Sequence, residues 1–440
     1  MKRHDASART GARVALLAFL AVGLATAWLV PLPRIHTSPG GVVMPDLIAG
    51  FVRSRPSAET SPPGPTLLTF QSGALAVSDA SESQQVLMGA DGITFRKLDG
   101  VDVHTRGVFL APNGRAVLLT EQNEVTTSIV HVDLVTGARH EFPLAAPQSV
   151  VIHAWSPDGR YVAFGESGWN EQGPDYQRAE AVRTSGTFVL LDLVTGAQKP
   201  LPQVGPIAAA AFSPDSTRLA VQSADSRRLD CPQVCKPYRF KAFVIDLHGT
   251  VLNDLIAPPG GMGIVPSVAW SPDGRWIAMN RWVGFDHGPG EVGPPYEQIA
   301  AVDATGGSAV RGPFTVYDKV VLGWRDPDHL LVAVLGNQAS TTGLIEETSL
   351  ADGTSAQVAA FDTPGSCINF ILGDNCLTLA PMAATNLLPQ VHILPAATLS
   401  HDNTNLRWAI TGAVVLVGAL WPWLSLRRRG GAKARQAVPR

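Results

Sequence analysis

An eleven-residue pattern that occurs three times limits the folds open to this chain. The copies are AWSPDGRYVAF at 154–164, AFSPDSTRLAV at 211–221 and AWSPDGRWIAM at 269–279. The Ser-Pro-Asp sequence is typical of tight turns, because Pro fixes φ at the second position and Asp tolerates the third. The flanking residues alternate and are rich in β-branched and aromatic side chains, as in half-buried strands. Each copy therefore predicts a β-hairpin.

Weaker copies extend the pattern along the chain, at 68–78, 109–119, 323–334 and 370–380. A second hairpin follows most first hairpins, and its two clearest copies share the sequence DLVTGA. These second hairpins lie at 129–144, 188–202, 242–255, 299–310 and 390–400. The repeating unit is thus four antiparallel strands, and the prolines of successive first turns are 45 to 58 residues apart.

A four-stranded sheet of this kind cannot bury both of its faces alone. Radial stacking into a β-propeller solves this problem, and propeller blades have four strands and repeat about every 40–50 residues. We therefore predict an all-β fold, a six- or seven-bladed β-propeller over residues 66–402, with seven blades favoured by the number of hairpins. A stacked array of sandwiches is the alternative, although such an array does not need the strands to recur in this fixed order.

The WSPDGR turn, followed by a strand that ends in DLxTG, resembles the repeat of TolB-type β-propellers, which are relatives of WD-repeat blades. The resemblance covers most of residues 68–400 and is strong in three copies. It implies the propeller fold. Its functional implication is broad, because propellers of this type serve as protein-binding platforms, as gates on peptidases and in other roles.

The two ends of the chain differ from its middle. Residues 14–30 and 408–426 are uncharged, apolar runs of 17 and 19 residues, close to the length that spans a bilayer. The segments outside them, 1–13 and 427–440, are basic, which predicts two transmembrane helices with both tails in the cytoplasm. Residues 31–65 are then a Pro-rich linker, and the predicted propeller is extracytoplasmic.

The first apolar run has a second interpretation. Ala25-Thr26-Ala27 resembles the small-residue cleavage site of a secretory signal peptide. Cleavage there removes one anchor and leaves the middle of the chain exported.

The exported part is acidic. The tails at 1–13 and 407–440 hold 11 of the 34 Lys and Arg and one of the 37 acidic residues, so 23 basic and 36 acidic residues remain between them, a net charge of −13. A surface of this sign argues against nucleic acid as a partner. We predict instead a protein or cell-envelope ligand, and no cofactor.

Four cysteines lie in the exported part, where disulfides persist. They form two close pairs along the sequence, Cys231 with Cys235 and Cys367 with Cys376. This spacing favours two local disulfides, although four cysteines allow three pairings. A zinc site is the alternative, but neither a CxxC spacing nor a nearby pair of histidines supports it, and we predict no metal.

Three successive connections between the second and third strands of the unit are long, at 165–186, 223–241 and 281–298. Long loops on one face of neighbouring blades are where repeat proteins place binding sites, and rigid aromatic side chains with Arg suit such contacts. The predicted binding residues are Trp169, Tyr176, Arg228, Tyr238, Arg281, Trp282, Asp286, His287 and Tyr296. The alternative is that the tyrosines pack at strand edges and that the loops are spacers.

Catalytic signatures are lacking in the sequence. GESGW at 165–169 has the wrong spacing for a nucleophile elbow, and there is no HExxH, P-loop or EF-hand pattern. The prediction is therefore a non-enzymatic, membrane-tethered propeller that binds through its long-loop face. The alternative is a hydrolase or lyase with a site at the central channel.

Overall fold

The computed structural model describes the following residues: 41–49, 55–74, 83–99, 106–121, 125–168, 186–223, 241–258, 262–283, 296–317, 319–334, 343–362 and 376–396. All of them belong to one compact unit, Pro39–Leu399. No helix in these ranges is long and apolar enough to cross a membrane, and the helices predicted at 14–30 and 408–426 lie outside them.

The described chain consists almost entirely of β-strands. In chain order they are β1 Val42–Pro45, β2 Leu47–Ala49, β3 Thr66–Ala74, β4 Ser83–Gly89, β5 Phe95–Lys97, β6 Arg106–Leu110, β7 Ala116–Glu121, β8 Thr126–Asp133, β9 Arg139–Trp155, β10 Tyr161–Gly168, β11 Thr187–Asp192, β12 Gln198–Pro200, β13 Ile207–Phe212, β14 Arg218–Ser223, β15 Lys241–Asp246, β16 Val251–Asp254, β17 Gly263–Ile264, β18 Trp276–Val283, β19 Tyr296–Asp303, β20 Val310–Tyr317, β21 Lys319–Asp326, β22 His329–Val334, β23 Leu344–Ser349, β24 Ser355–Asp362, β25 Cys376–Ala383 and β26 Val391–Leu394.

These strands form antiparallel groups of four, which we call blades A to F. Blade A has the order β25-β3-β4-β5, blade D is β13 to β16, blade E is β17 to β20, and blade F is β21 to β24 with β2 added in parallel at its outer edge. Blades B and C share one seven-stranded sheet, β6 to β12, because the first part of β9 pairs with β8 and its second part with β10.

Neighbouring blades are joined around a closed ring. Hydrogen bonds link blade A to B, C to D, D to E and E to F, and blades B and C share β9. Blades F and A share an apolar cluster in which the rings of Phe361 and Phe70 meet edge to face, 5.0 Å apart. The strand pairing therefore confirms the predicted all-β propeller.

The preference for seven blades is wrong over the described residues. The prediction treats the patterns at 68–78 and 370–380 as hairpins of separate blades, whereas β3 and β25 pair with each other, Leu68 opposite Ala383 and Ala74 opposite Cys376. Strands from near the beginning and near the end of the described chain thus build one blade together. The last predicted hairpin, at 390–400, contributes instead β26, which pairs in parallel with β1.

The Ser-Pro-Asp turns carry a repeated hydrogen-bond network around a fully buried serine. In blade E the hydroxyl of Ser271 donates to Asp273 Oδ1 at 2.5 Å and accepts from the backbone N–H of Trp276 at 2.8 Å. Asp273 Oδ1 in turn accepts from the N–H of Arg275. Blades C and D repeat this network around Ser156 and Ser213. The turn residues are thus fixed by the fold.

Blade D lacks the turn glycine of its neighbours. Ser216 takes that position with a φ of 60°, a left-handed conformation that is uncommon for residues other than glycine. Its side chain accepts a hydrogen bond from the N–H of Asp158 in blade C at 3.1 Å. Ser216 therefore links two blades at a position where glycine has no side chain to do so.

The hydrophobic core lies between neighbouring blades. Phe188 of β11 in blade C packs in one buried cluster with Phe212 and Leu219 of blade D, and similar clusters lie along the ring. Each sheet covers the face of the next, which is the reason for the radial arrangement.

Candidate functional site

The ring has two faces that differ in their connections. We define the turn face as the side of the ring that carries two turns of each blade, the turn between the first and second strands and the turn between the third and fourth strands. The loop face is the opposite side. The two kinds of turn meet within a blade, since the N–H of Leu193 donates to the carbonyl of Arg160, and that of Ala304 to the carbonyl of Arg275. Both turns therefore lie on one side, as the sequence predicts.

Aspartates on the turn face are engaged in the turns themselves. Asp192 Oδ1 accepts from the N–H of Val194, and its Oδ2 accepts from Arg160 Nη2 at 2.8 Å. The hydrogen bond from Arg160 lowers the pKa of Asp192 to about 2. Hydrogen bonds from Thr305 lower the pKa of Asp303 in the corresponding turn of blade E. These carboxylates shape turns, and no group of three possible metal ligands occurs among the described residues.

The loop face carries the three long connections. β10 ends at Gly168 and β11 begins at Thr187, β14 ends at Ser223 and β15 begins at Lys241, and β18 ends at Val283 and β19 begins at Tyr296. The middle connection, 224–240, is shorter than predicted by one residue at each end. The other two are also shorter than predicted, because the strands extend further than the apolar alternation of their sequences indicates.

Most predicted binding residues fall within these connections. Trp169, Tyr176, Arg228, Tyr238, Asp286 and His287 lie outside the described residues, and their roles stay predictions. Arg281, Trp282 and Tyr296 were predicted in a loop and lie on strands instead: Arg281 is opposite Gln298, Trp282 opposite Glu297 and Tyr296 opposite Val283. The three belong to the strand ends that lead into and out of the connection at 284–295.

The predicted disulfides are not tested. Cys231, Cys235 and Cys367 lie outside the described residues, and Cys376 is the first residue of β25.

A half-buried carboxyl lies near the loop-face end of blade C. Glu166 is on β10, three residues before the connection at 169–185, and Gln148 Nε2 donates to its Oε2 at 3.0 Å. Burial raises the pKa of Glu166. Ser149, next to Gln148 on β9, is 6% exposed, and its hydroxyl has no hydrogen-bond partner within the described part of the chain. This end of the blade is therefore polar and partly removed from water.

Blade D also has a buried polar side chain close to its loop-face edge. Gln222 precedes the last residue of β14, is buried, and accepts through Oε1 from the N–H of Ile264 in blade E at 2.8 Å. It lies directly over Gly263, where an added Cβ would come within 2.3 Å of the same oxygen. Gln222 thus holds blades D and E together at the loop face.

Sequence analysis did not select Glu166. It treated the chain from Gly165 onward as loop, and the glutamate is separated from the apolar strand residues by that glycine. The pairing of Glu166 with Val150 across the sheet is visible only in the fold.

No family model and no curated protein matches this sequence. Solved structures do resemble it. The chain is similar to TolB. TolB from Acinetobacter baumannii is 16% identical over 74% of this chain and 69% of its own, with a TM-score of 0.44. A putative TolB from Agrobacterium tumefaciens is 14% identical over 68% and 90% of the two chains, with a TM-score of 0.40. An oligogalacturonate lyase in complex with manganese is 14% identical over 74% and 80%, with a TM-score of 0.44.

These similarities to TolB and to the lyase are distant. The strand pairing of this chain defines its propeller fold.

Proposed function

We propose that this protein is a non-enzymatic, membrane-tethered extracytoplasmic propeller that binds a protein or cell-envelope ligand through its loop face. One observation carries the proposal: the strands that bound the long connections of blades C, D and E end and begin at that face. The turn face of the same blades has short turns with internal hydrogen bonds. In the turn that joins β11 to β12, for example, the N–H of Val194 donates to Asp192 Oδ1. These connections are longer than the fold requires and belong to one face, which is typical of a binding surface.

The composition of the three connections supports a protein or glycan contact. They contain the aromatic residues and arginines that dominate binding energy in protein interfaces: Trp169, Tyr176, Arg228 and Tyr238, with Asp286 and His287 in the third. Arg281, Trp282 and Tyr296 stand at the strand ends that bound that third connection. The net charge of −13 between the tails supports a partner other than nucleic acid.

The tether and the compartment are part of the proposal. The apolar runs 14–30 and 408–426, each with basic residues on its outer side, support two membrane helices with the propeller outside the cytoplasm. The paired cysteines fit an oxidising compartment, where Cys231 with Cys235 and Cys367 with Cys376 would form disulfides.

The test is a crosslinking capture from intact cells. Full-length variants have residues 169–185, 224–240 or 284–295 replaced by short Gly-Ser linkers, separately and together. We expect at least one replacement to abolish a captured species. The matched control is Val194→Ser on the turn face, at a side chain that is 76% exposed, and this variant should capture normally. Unchanged capture by a folded variant with all three connections replaced would refute the loop-face proposal.

The second candidate is a hydrolase or lyase acting at the central channel. Its candidate acid is Glu166, a half-buried side chain that accepts a hydrogen bond from Gln148 Nε2 at 3.0 Å and whose pKa is raised by burial. A carboxyl that keeps its proton to higher pH can act as a general acid. Glu166→Gln distinguishes the two candidates. If the unsubstituted protein releases a product from cell-envelope fractions and the variant does not, while both proteins still capture the partner, the protein is an enzyme. If the unsubstituted protein releases no product and the variant no longer captures the partner, Glu166 is a binding residue.

A further inference from the structure

The segment that follows β25 lies across the turn face and contacts several blades in succession. It comprises residues 384–390 and ends in a single turn of 3-10 helix, Leu388–Gln390. The N–H of Asn386 donates to the carbonyl of Pro112 in blade B, and its side-chain Nδ2 donates to the carbonyl of Pro157 in blade C, both at 2.9 Å. One asparagine therefore joins the first turns of two blades.

The other end of the segment is attached to blade F. Arg325 Nη1 on β21 donates to the carbonyl of Leu388 at 3.1 Å. Leu388 is fully buried, and a Cβ added at Gly323 of β21 would come within 2.7 Å of its side chain. Gly323 thus provides the space in which Leu388 sits.

Blades C and F lie on opposite sides of the ring. Three steps separate them in either direction, through A and B or through D and E. β21, the strand that Leu388 contacts, is the first strand of blade F, and Pro157 belongs to the first turn of blade C. A segment of seven residues that contacts both has to cross the middle of the turn face.

We propose that residues 384–390 form a plug across the turn-face end of the propeller channel, so that a channel ligand approaches from the loop face. The inference goes beyond the proposed function, because it concerns the face without long connections and holds whatever the loop face binds.

The plug is fixed at both of its ends. Ala384 donates its N–H to the carbonyl of Leu67 at 2.9 Å beside the β25–β3 pair. Beyond the plug, β26 pairs in parallel with β1, and Asp46 contributes two further bonds: its N–H donates to the carbonyl of Leu394, and its Oδ1 accepts from the N–H of Ala396 at 2.7 Å. The strand pair β1–β26 therefore keeps the plug in place.

Hydrogen exchange on the full-length protein tests the plug. In the unsubstituted protein, peptides covering 384–390 should exchange as slowly as the strands, because the N–H groups of Ala384, Asn386, Leu387 and Gln390 are bonded. Leu388→Ala removes the side-chain contact with Gly323 of blade F and leaves only the bond from Arg325 to the carbonyl of residue 388. It should speed exchange at least about threefold both in β21 and in the turn 156–161 of blade C. The control is Gln390→Ala, which loses only a bond to Asn386 within the segment.

Two results would overturn the proposal. One is exchange of 384–390 at the rate of an unstructured peptide. The other is an effect of Leu388→Ala in β21 with none in the turn of blade C, which would place the segment on one side of the ring. Should Leu388→Ala fail to fold, Asn386→Ala provides the same comparison from the other end, with faster exchange expected in β21.

Discussion

The indole Nε1 of Trp324 donates a hydrogen bond to the carbonyl oxygen of Ala269 at 3.0 Å, one blade back along the ring. Trp270, next to Ala269, makes the equivalent bond to Ala211 in the blade before it. Trp324 and Trp270 thus each join a blade to its predecessor. The acceptor Ala269 is followed by Trp270, whereas the acceptor Ala211 is followed by Phe212, which has no indole N–H to continue the series.

Trp324→Phe should weaken the joint between blades E and F. The ring remains large enough to fill most of the buried space, so the loss is mainly the hydrogen bond, about 1–2 kcal/mol of unfolding free energy. Urea unfolding measures the loss, and hydrogen exchange locates it around Ala269. Trp155→Phe is the control, since its indole bonds to Gly159 within its own turn. If Trp155→Phe loosens a neighbouring blade as much as Trp324→Phe does, the effect of Trp324→Phe does not come from the hydrogen bond that joins blades E and F.

Ser271→Ala should be more harmful than its small change in size suggests. The substitution removes the acceptor for the N–H of Trp276 and the donor to Asp273, and it leaves a buried N–H unsatisfied. We expect a loss of about 1–3 kcal/mol, measured by urea unfolding. Thr305→Ala, whose hydroxyl bonds to Asp303 in an exposed turn, should cost clearly less. Equal losses would show that the buried serine has no special role.

The ion pair between Arg160 and Asp192 gives a defined pH dependence. Because the pKa of Asp192 is lowered to about 2, its contribution to stability is fully present above the pKa of an unfolded Asp, about 4. It is lost as the pH falls toward 2. Asp192→Asn should therefore be less stable than the unsubstituted protein at pH 7, with the difference disappearing near pH 2. Unfolding midpoints across this range measure it, and a difference that persists at pH 2 would mean that the charge is not the cause.

Glu166→Gln should behave in the opposite way. Burial raises the pKa of this carboxyl, so ionisation at neutral pH costs stability, and the penalty is absent below the pKa of an unfolded Glu. The variant should gain stability relative to the unsubstituted protein as the pH rises from 4 to 7.5, as measured by thermal unfolding. A stability difference between the two proteins that stays constant over this pH range would contradict the prediction.

Much of the fold is readable from the sequence because its turns are made by local chemistry. The network around Ser156, Asp158 and Tyr161 involves residues at most five apart, and the repeated DLVTGA turn is equally local. Even the copy with Ser216 in place of glycine forms the turn, because a bond from the neighbouring blade supports it.

The number of blades and the site depend on contacts between distant residues. Nothing in the sequence near Leu68 or Ala383 indicates that these two residues pair across 315 positions. The same holds for Asn386, whose partners Pro112 and Pro157 lie far back in the chain. Glu166 was missed for a related reason, since its burial follows from the pairing of β10 with β9.

Blade A takes one strand from near the end of the described chain and three from near its beginning. During synthesis β3 therefore presents an unpaired edge until Cys376–Ala383 has emerged from the ribosome, and exposed edges of this kind invite pairing with other chains. A chain interrupted before that point lacks the strand that completes its first sheet. The exposed edge of β3 therefore persists while the strands of blades B to F are being synthesised.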